Sequence, residues 1–207
     1  HEICIDITDG ENRAVAGYSI ENCYLENEFE GFSGASDQFQ MKRLAGTLVF
    51  KRNKAEANFG TFTFEKDAQF VQFLKVQGIP LDNDLYYFKL FLGDISKEYI
   101  VGIKALGFEP TLVALGRLAW HDASLDFVRD TSNAFPRINL EMISQFSAHG
   151  IDPAYIVAIQ NLGITISNPE ELKHSFMQGV TVSFIKQSIQ NGHVFAQLND
   201  YKKLKHS

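Results

Sequence analysis

The chain is short of positive charge. Among its 207 residues, 19 Lys and Arg stand against 25 Asp and Glu, a formal net charge of −6. General nucleic-acid binding needs a basic footprint, so that class is set aside and no nucleic-acid partner is expected. No apolar run approaches the ~18 residues a membrane-spanning helix requires, so no membrane span is expected in this chain. Only two cysteines are present, Cys4 and Cys23, too far apart for a Cys-x-x-Cys site. They suit two readings: a disulfide between neighbouring strands, or a pair of small buried apolar residues. Motifs of chemistry are missing as well. There is no His-Glu-x-x-His pair, no phosphate loop, no dinucleotide fingerprint and no nucleophile elbow, and the chain is read as a non-enzyme with no cofactor and no metal. A hydrolase with an unfamiliar site is the competing reading that stoichiometric zinc would support. The chain opens at His1 with no signal peptide, so an upstream segment that held any address is expected to have been removed.

What the chain has in quantity is apolar and aromatic surface: 45% hydrophobic residues, 13% aromatic, with 18 Phe. Much of it recurs with a period of 28–29 residues. A helix-capping residue stands at Asp67, Ser96, Ser124, Asp152 and Thr181, followed three positions on by Phe70, Tyr99, Phe127, Tyr155 and Phe184. A β-branched residue comes next in each (Val71, Ile100, Val128, Ile156, Ile185), and eleven after the cap stand Gly78, Gly107, Gly163 and Gly192, with Phe135 the exception. Capping side chain, hydrophobic staple and closing glycine are the start and stop signals of a helix. A second helix fills the rest of each unit, capped by Asn139 before Leu140–Ala148, by Asn168 with Pro169 behind it, and by Asp82 or Asp84 before Leu85–Leu92. Helices of three turns are marginal alone and become stable by stacking. Unit three, with Phe135-Pro136 and a polar first helix, is expected to be the least regular, and the Lys202, Lys203, Lys205 tail reads as a polar cap.

Residues 1–66 instead alternate with period two. Ile3, Ile5 and Ile7 mark one strand, Val15, Tyr18 and Ile20 a second, Glu26, Glu28 and Glu30 a solvated strand face, Phe39, Met41 and Arg43 another, and Thr61-Phe62-Thr63-Phe64 the clearest of all. Residues 8–12 read as a turn and 31–36 as a loop. The fold class predicted is α+β: a small antiparallel β-domain over 1–66, as a sandwich or open barrel, followed by an α-helical, solenoid-like repeat domain over 67–207. Its five units are 67–94, 95–122, 123–150, 151–179 and 180–207.

Candidate binding residues come from the same register. His121 and His149 lie 28 apart near the ends of second helices, so in a regular stack they align. Interaction with the last helix carbonyls is the favoured reading, a metal site shared between units the other. Trp120, the sole tryptophan, is either inter-repeat packing or a ligand platform. Tyr86, Tyr87, Phe88 and Phe91 crowd one helix with more apolar surface than a single face hides, and the remainder is a partner-surface candidate.

The stretch Phe146-Ser147-Ala148-His149-Gly150-Ile151-Asp152-Pro153-Ala154-Tyr155-Ile156 resembles a repeat unit of bacterial proteins, and Leu44–Phe50 with Asn58–Phe64 resembles the strand region that precedes such repeats. The repeat is of the kind attached to β-lactam-sensor-type membrane metallopeptidases and found in stand-alone exported relatives. The resemblance covers roughly residues 38–207, and the peptidase domain itself has no counterpart. It implies a periplasmic or extracellular, non-catalytic interaction or sensing module whose partner is a cell-envelope protein or peptide. The alternative is a small-molecule or glycan binder with a cleft between β-domain and repeats.

Overall fold

The computed structural model describes residues 1–8, 19–33, 35–55 and 60–206. The predicted turn at 9–12, together with Val15, Tyr18 and Phe59, lies outside them. The chain is an α+β protein that divides into two compact units, His1–Gln72 and Phe73–Ser207. The cut falls inside the first helix rather than at the predicted 66/67 boundary.

The first unit holds two antiparallel ladders. Strands β1 (Glu2–Thr8) and β2 (Ser19–Leu25) pair with Cys4 directly opposite Cys23, and a disulfide joins them. Both cysteines sit on the exposed face of this hairpin, which removes the reading as buried apolar residues. Strands β3 (Phe29–Glu30), β4 (Gln38–Arg43), β5 (Gly46–Arg52) and β6 (Gly60–Lys66) form a four-stranded meander in that order. Its register lines up Met41, Leu48 and Phe64, and likewise Phe39, Phe50 and Phe62, so one face is apolar. Gln40, Lys42, Thr47, Thr61 and Thr63 alternate onto the other. Met41 and Leu48 are fully buried, and Phe29 meets Tyr24, Phe32, Phe39 and Phe50 at centroid distances of 5.7–6.1 Å.

The glutamate run departs from its predicted strand. Glu26–Glu28 is a single 3-10 turn, because the Glu28 carboxylate turns back to accept from the Leu25 amide, 3.0 Å, while also pairing with Arg43. Only Glu30 belongs to a strand, where it pairs with Lys42 at 2.7 Å.

Ten helices are described: α1 (Ala68–Val76), α2 (Asp84–Leu92), α3 (Lys97–Ala105), α4 (Leu112–Trp120), α5 (Leu125–Ala134), α6 (Leu140–Ala148), α7 (Pro153–Asn161), α8 (Pro169–Met177), α9 (Val182–Gln190) and α10 (Leu198–Lys205). First helices neighbour first helices (α3, α5, α7, α9), and second helices neighbour second helices (α2, α4, α6, then α8 with α10). Each predicted first-helix cap accepts an amide of the first turn, at 2.7–3.1 Å. Gly78, Gly107, Gly163 and Gly192 all take positive φ, 74–88°, as the closing position requires. The β-branched row is buried outright at Ile100, Val128, Ile156 and Ile185.

One detail corrects the sequence reading. The cap of α2 is neither Asp82 nor Asp84 but Asn83, whose extended backbone lets its side chain accept from Tyr86 N. Ahead of α8 the Glu171 carboxylate accepts from Ser167 N (2.7 Å) and from Asn199 N (2.9 Å) of the next unit. In unit three, Phe135 stays at φ −132° and the chain reverses two residues later at Arg137, φ 69°. There α5 runs one residue longer than α3 or α7, and Thr131 occupies the buried position held by Leu74, Ile103 and Ile159 in units one, two and four and by Ser188 in unit five.

Candidate functional site

The second helices carry the cluster with the most chemistry. Counting from each cap, the sixth position is Lys89, Arg117 and Gln145 on α2, α4 and α6. The fourth is Tyr87, Leu115, Ile143, Leu172 and Tyr201, and all five are fully buried. Tyr87 is therefore a core residue and not the binding candidate that the crowding of the aromatic run suggested. Tyr86, one position earlier, is half-buried and faces the neighbouring helix α4.

Gly116 brings α2 and α4 together. A Cβ there would stand 2.8 Å from the Tyr86 carbonyl and 3.0 Å from its Cβ. That close approach seats Lys89 Nζ between two rings, 5.3 Å from the centroid of Tyr86 and 4.9 Å from that of Trp120. Arg117, three residues before Trp120, lies beside the Tyr86 side chain and forms an ion pair with Glu141 on α6. Tyr86, Lys89, Arg117, Trp120 and Glu141 thus interlock across three consecutive units. On α6 and α8, Gln145 accepts from Lys173, which also pairs with Glu170 at 2.7 Å.

His121 caps α4 beside this cluster. Its backbone N–H donates to the Arg117 carbonyl, and its own carbonyl accepts from Ser147 Oγ at 2.7 Å. Burial first, then the positive charges of Lys89, His149 and Arg117, hold its imidazole below the usual range. Lys89 is pushed below the usual ammonium range by burial, with Tyr86 opposing and Arg117 adding to the shift. Arg117 is held up by the Tyr86 and Glu141 side chains. His149 caps α6 from an exposed position and acts on His121 through its charge.

Trp120, His121, His149 and Tyr86 therefore converge, while Tyr87 does not. Lys89, Arg117 and Gly116 went unremarked in the sequence, although Lys89 and Arg117 stand 28 residues apart, the same period as the histidines. The histidine row also extends further than predicted. Gln178 and His206 hold the same cap position on α8 and α10, and His206 Nε2 lies 3.1 Å from Gln178 Oε1.

No protein-family model matches the chain, and neither a curated protein sequence nor a solved structure resembles it significantly. The geometry stands alone. Among the described residues no group of three or more His, Cys, Asp and Glu is arranged to hold a metal ion. No helix among them is long and apolar enough to cross a membrane. Ser147 lies close to His121, but its hydroxyl is committed to a backbone carbonyl and not to the imidazole. What the cluster can do is receive an anion at Lys89 and Arg117 and offer the indole of Trp120 as a flat apolar contact.

Proposed function

We propose that the helical repeat is a non-enzymatic interaction or sensing module that works outside the cytoplasm and binds a cell-envelope protein or peptide along its second-helix face. The observation that carries this reading is the Tyr86–Lys89–Arg117–Trp120 cluster, whose members come from successive units and are all partly exposed. A surface assembled from neighbouring repeats has the extended form suited to binding without turnover. Aromatic and arginine side chains are the residue types that dominate binding energy at interfaces. The disulfide on the outer face of β1–β2 supports the compartment, since such bonds persist where the surroundings are oxidising.

The test uses the full chain as immobilised bait for envelope extract, beside Lys89→Ala and Trp120→Ala variants of unchanged helical content. Selective capture by the parent and its loss in both variants supports the reading. Capture of the same proteins by all three, or by none, sinks it.

A further inference from the structure

The charge of the second-helix face points to the chemistry of its partner. Lys89 is half-buried against two rings and, among the described residues, has no carboxylate within ion-pair reach. A cation withdrawn from water without a counter-charge is costly, and aromatic faces offset only part of that cost. Arg117 next to it is paired with the exposed Glu141 and lies beside the Tyr86 side chain. On a chain of net charge −6, this spot lacks the anion its own construction calls for.

We propose that this face binds an acidic, extended peptide segment of a protein partner, with carboxylates received at Lys89 and Arg117 and an apolar side chain laid against Trp120. Lys89 and Arg117 stand on the adjacent packed helices α2 and α4 of successive units, so a ligand that meets both crosses the stack rather than running along one helix, as an extended chain does. The inference rests on the interaction reading above and adds the partner's chemistry to it.

Trp120, the sole tryptophan, is a built-in reporter. The full chain is titrated at constant ionic strength with a hexaglutamate peptide, a hexalysine peptide, free glutamate at matched carboxylate concentration, and a hexathymidylate oligonucleotide, with Trp120 emission followed. A saturable change is expected with hexaglutamate alone. Lys89→Met, which keeps the stem packing on the rings, is expected to weaken it at least fivefold, and Glu141→Gln, which frees Arg117, to tighten it two- to fivefold. The Glu141 substitution lies at an exposed position, so it reads the site even if the Lys89 variant folds poorly. A flat hexaglutamate titration overturns the proposal, as does equal binding of the oligonucleotide or of free glutamate, or indifference to both substitutions. If envelope capture still depends on Lys89 while hexaglutamate does not bind, the acidic-peptide inference fails and the interaction reading stands.

Discussion

At the scale of single residues, the repeat uses its third-position aromatic in two ways. Where it is tyrosine, the hydroxyl reaches into the next unit: Tyr99 Oη donates to the Ala123 carbonyl at 2.6 Å, and Tyr155 Oη to the Val180 carbonyl. Each acceptor immediately precedes the next cap, so the bond fixes where the following helix starts. Burial raises both phenols above their usual range, which keeps them protonated donors. Tyr99→Phe and Tyr155→Phe are each expected to cost about 1 kcal/mol, the net worth of a hydrogen bond, read as a lower urea midpoint with an unchanged slope. No loss in either variant would mean that the hydroxyls are spectators. His121 supplies a pH signature. Its folded-state pKa lies below the ordinary 6.5, so the unfolded chain binds the proton more readily. Stability from this group is complete above about pH 6.5 and declines as pH falls through that value toward the folded pKa. His121→Gln is expected to flatten the stability–pH curve just below 6.5, and an unaltered curve would remove His121 as a source of it.

At the scale of elements, the helix ends were the most legible part of the sequence because their causes are local. A cap, its amide and a closing glycine lie within a dozen residues, and Ser96, Ser124, Asp152 and Thr181 cap as their spacing predicts. Glu26–Glu28 misled because alternation alone does not register a carboxylate folding back onto Leu25 N. The α2 cap was assigned to the acids flanking Asn83, since three adjacent polar residues are equally good on propensity and only backbone geometry separates them. Closing turns also yield a paired prediction. Gly163 has φ 74° and open space where a Cβ would go, so Gly163→Ala is expected to cost about 1 kcal/mol through backbone strain alone. Arg137 holds φ 69° with a side chain, so Arg137→Gly is expected to recover about 0.5–1 kcal/mol after the entropy a glycine adds to the unfolded chain. Equilibrium urea unfolding checks both, and a stabilising Gly163→Ala or a destabilising Arg137→Gly would contradict the assignment.

At the scale of the whole chain, the α+β division and the stacked helices were readable from two periods, two residues in one stretch and 28–29 in the other. Which strands pair was not, because period two marks a face and not a neighbour; among the described residues they form a two-stranded and a four-stranded ladder. The Tyr86–Lys89–Arg117–Trp120 cluster was half-visible for a related reason. Aligning units on their first helices brought out His121 and His149, whereas Lys89 and Arg117 emerge only when the second helices are aligned and Gly116 is seen to draw α2 onto α4. The two-stranded ladder carries the last consequence. A two-stranded ladder is marginal in water, and β1–β2 is tied to the meander through Tyr24 on Phe29, so the crosslink is the other main constraint on it. The Cys4–Cys23 bond spans a sequence separation of 19, a loop whose closure stabilises by about 3 kcal/mol in the chain-entropy account. Reduction, or paired Cys4→Ser and Cys23→Ser replacement, is therefore expected to erase amide-exchange protection in β1 and β2. The central strand β5, hydrogen-bonded on both sides by β4 and β6, should keep its protection and serve as the internal reference. Equal protection of β1, β2 and β5 after reduction would show that the hairpin is held by something other than its crosslink.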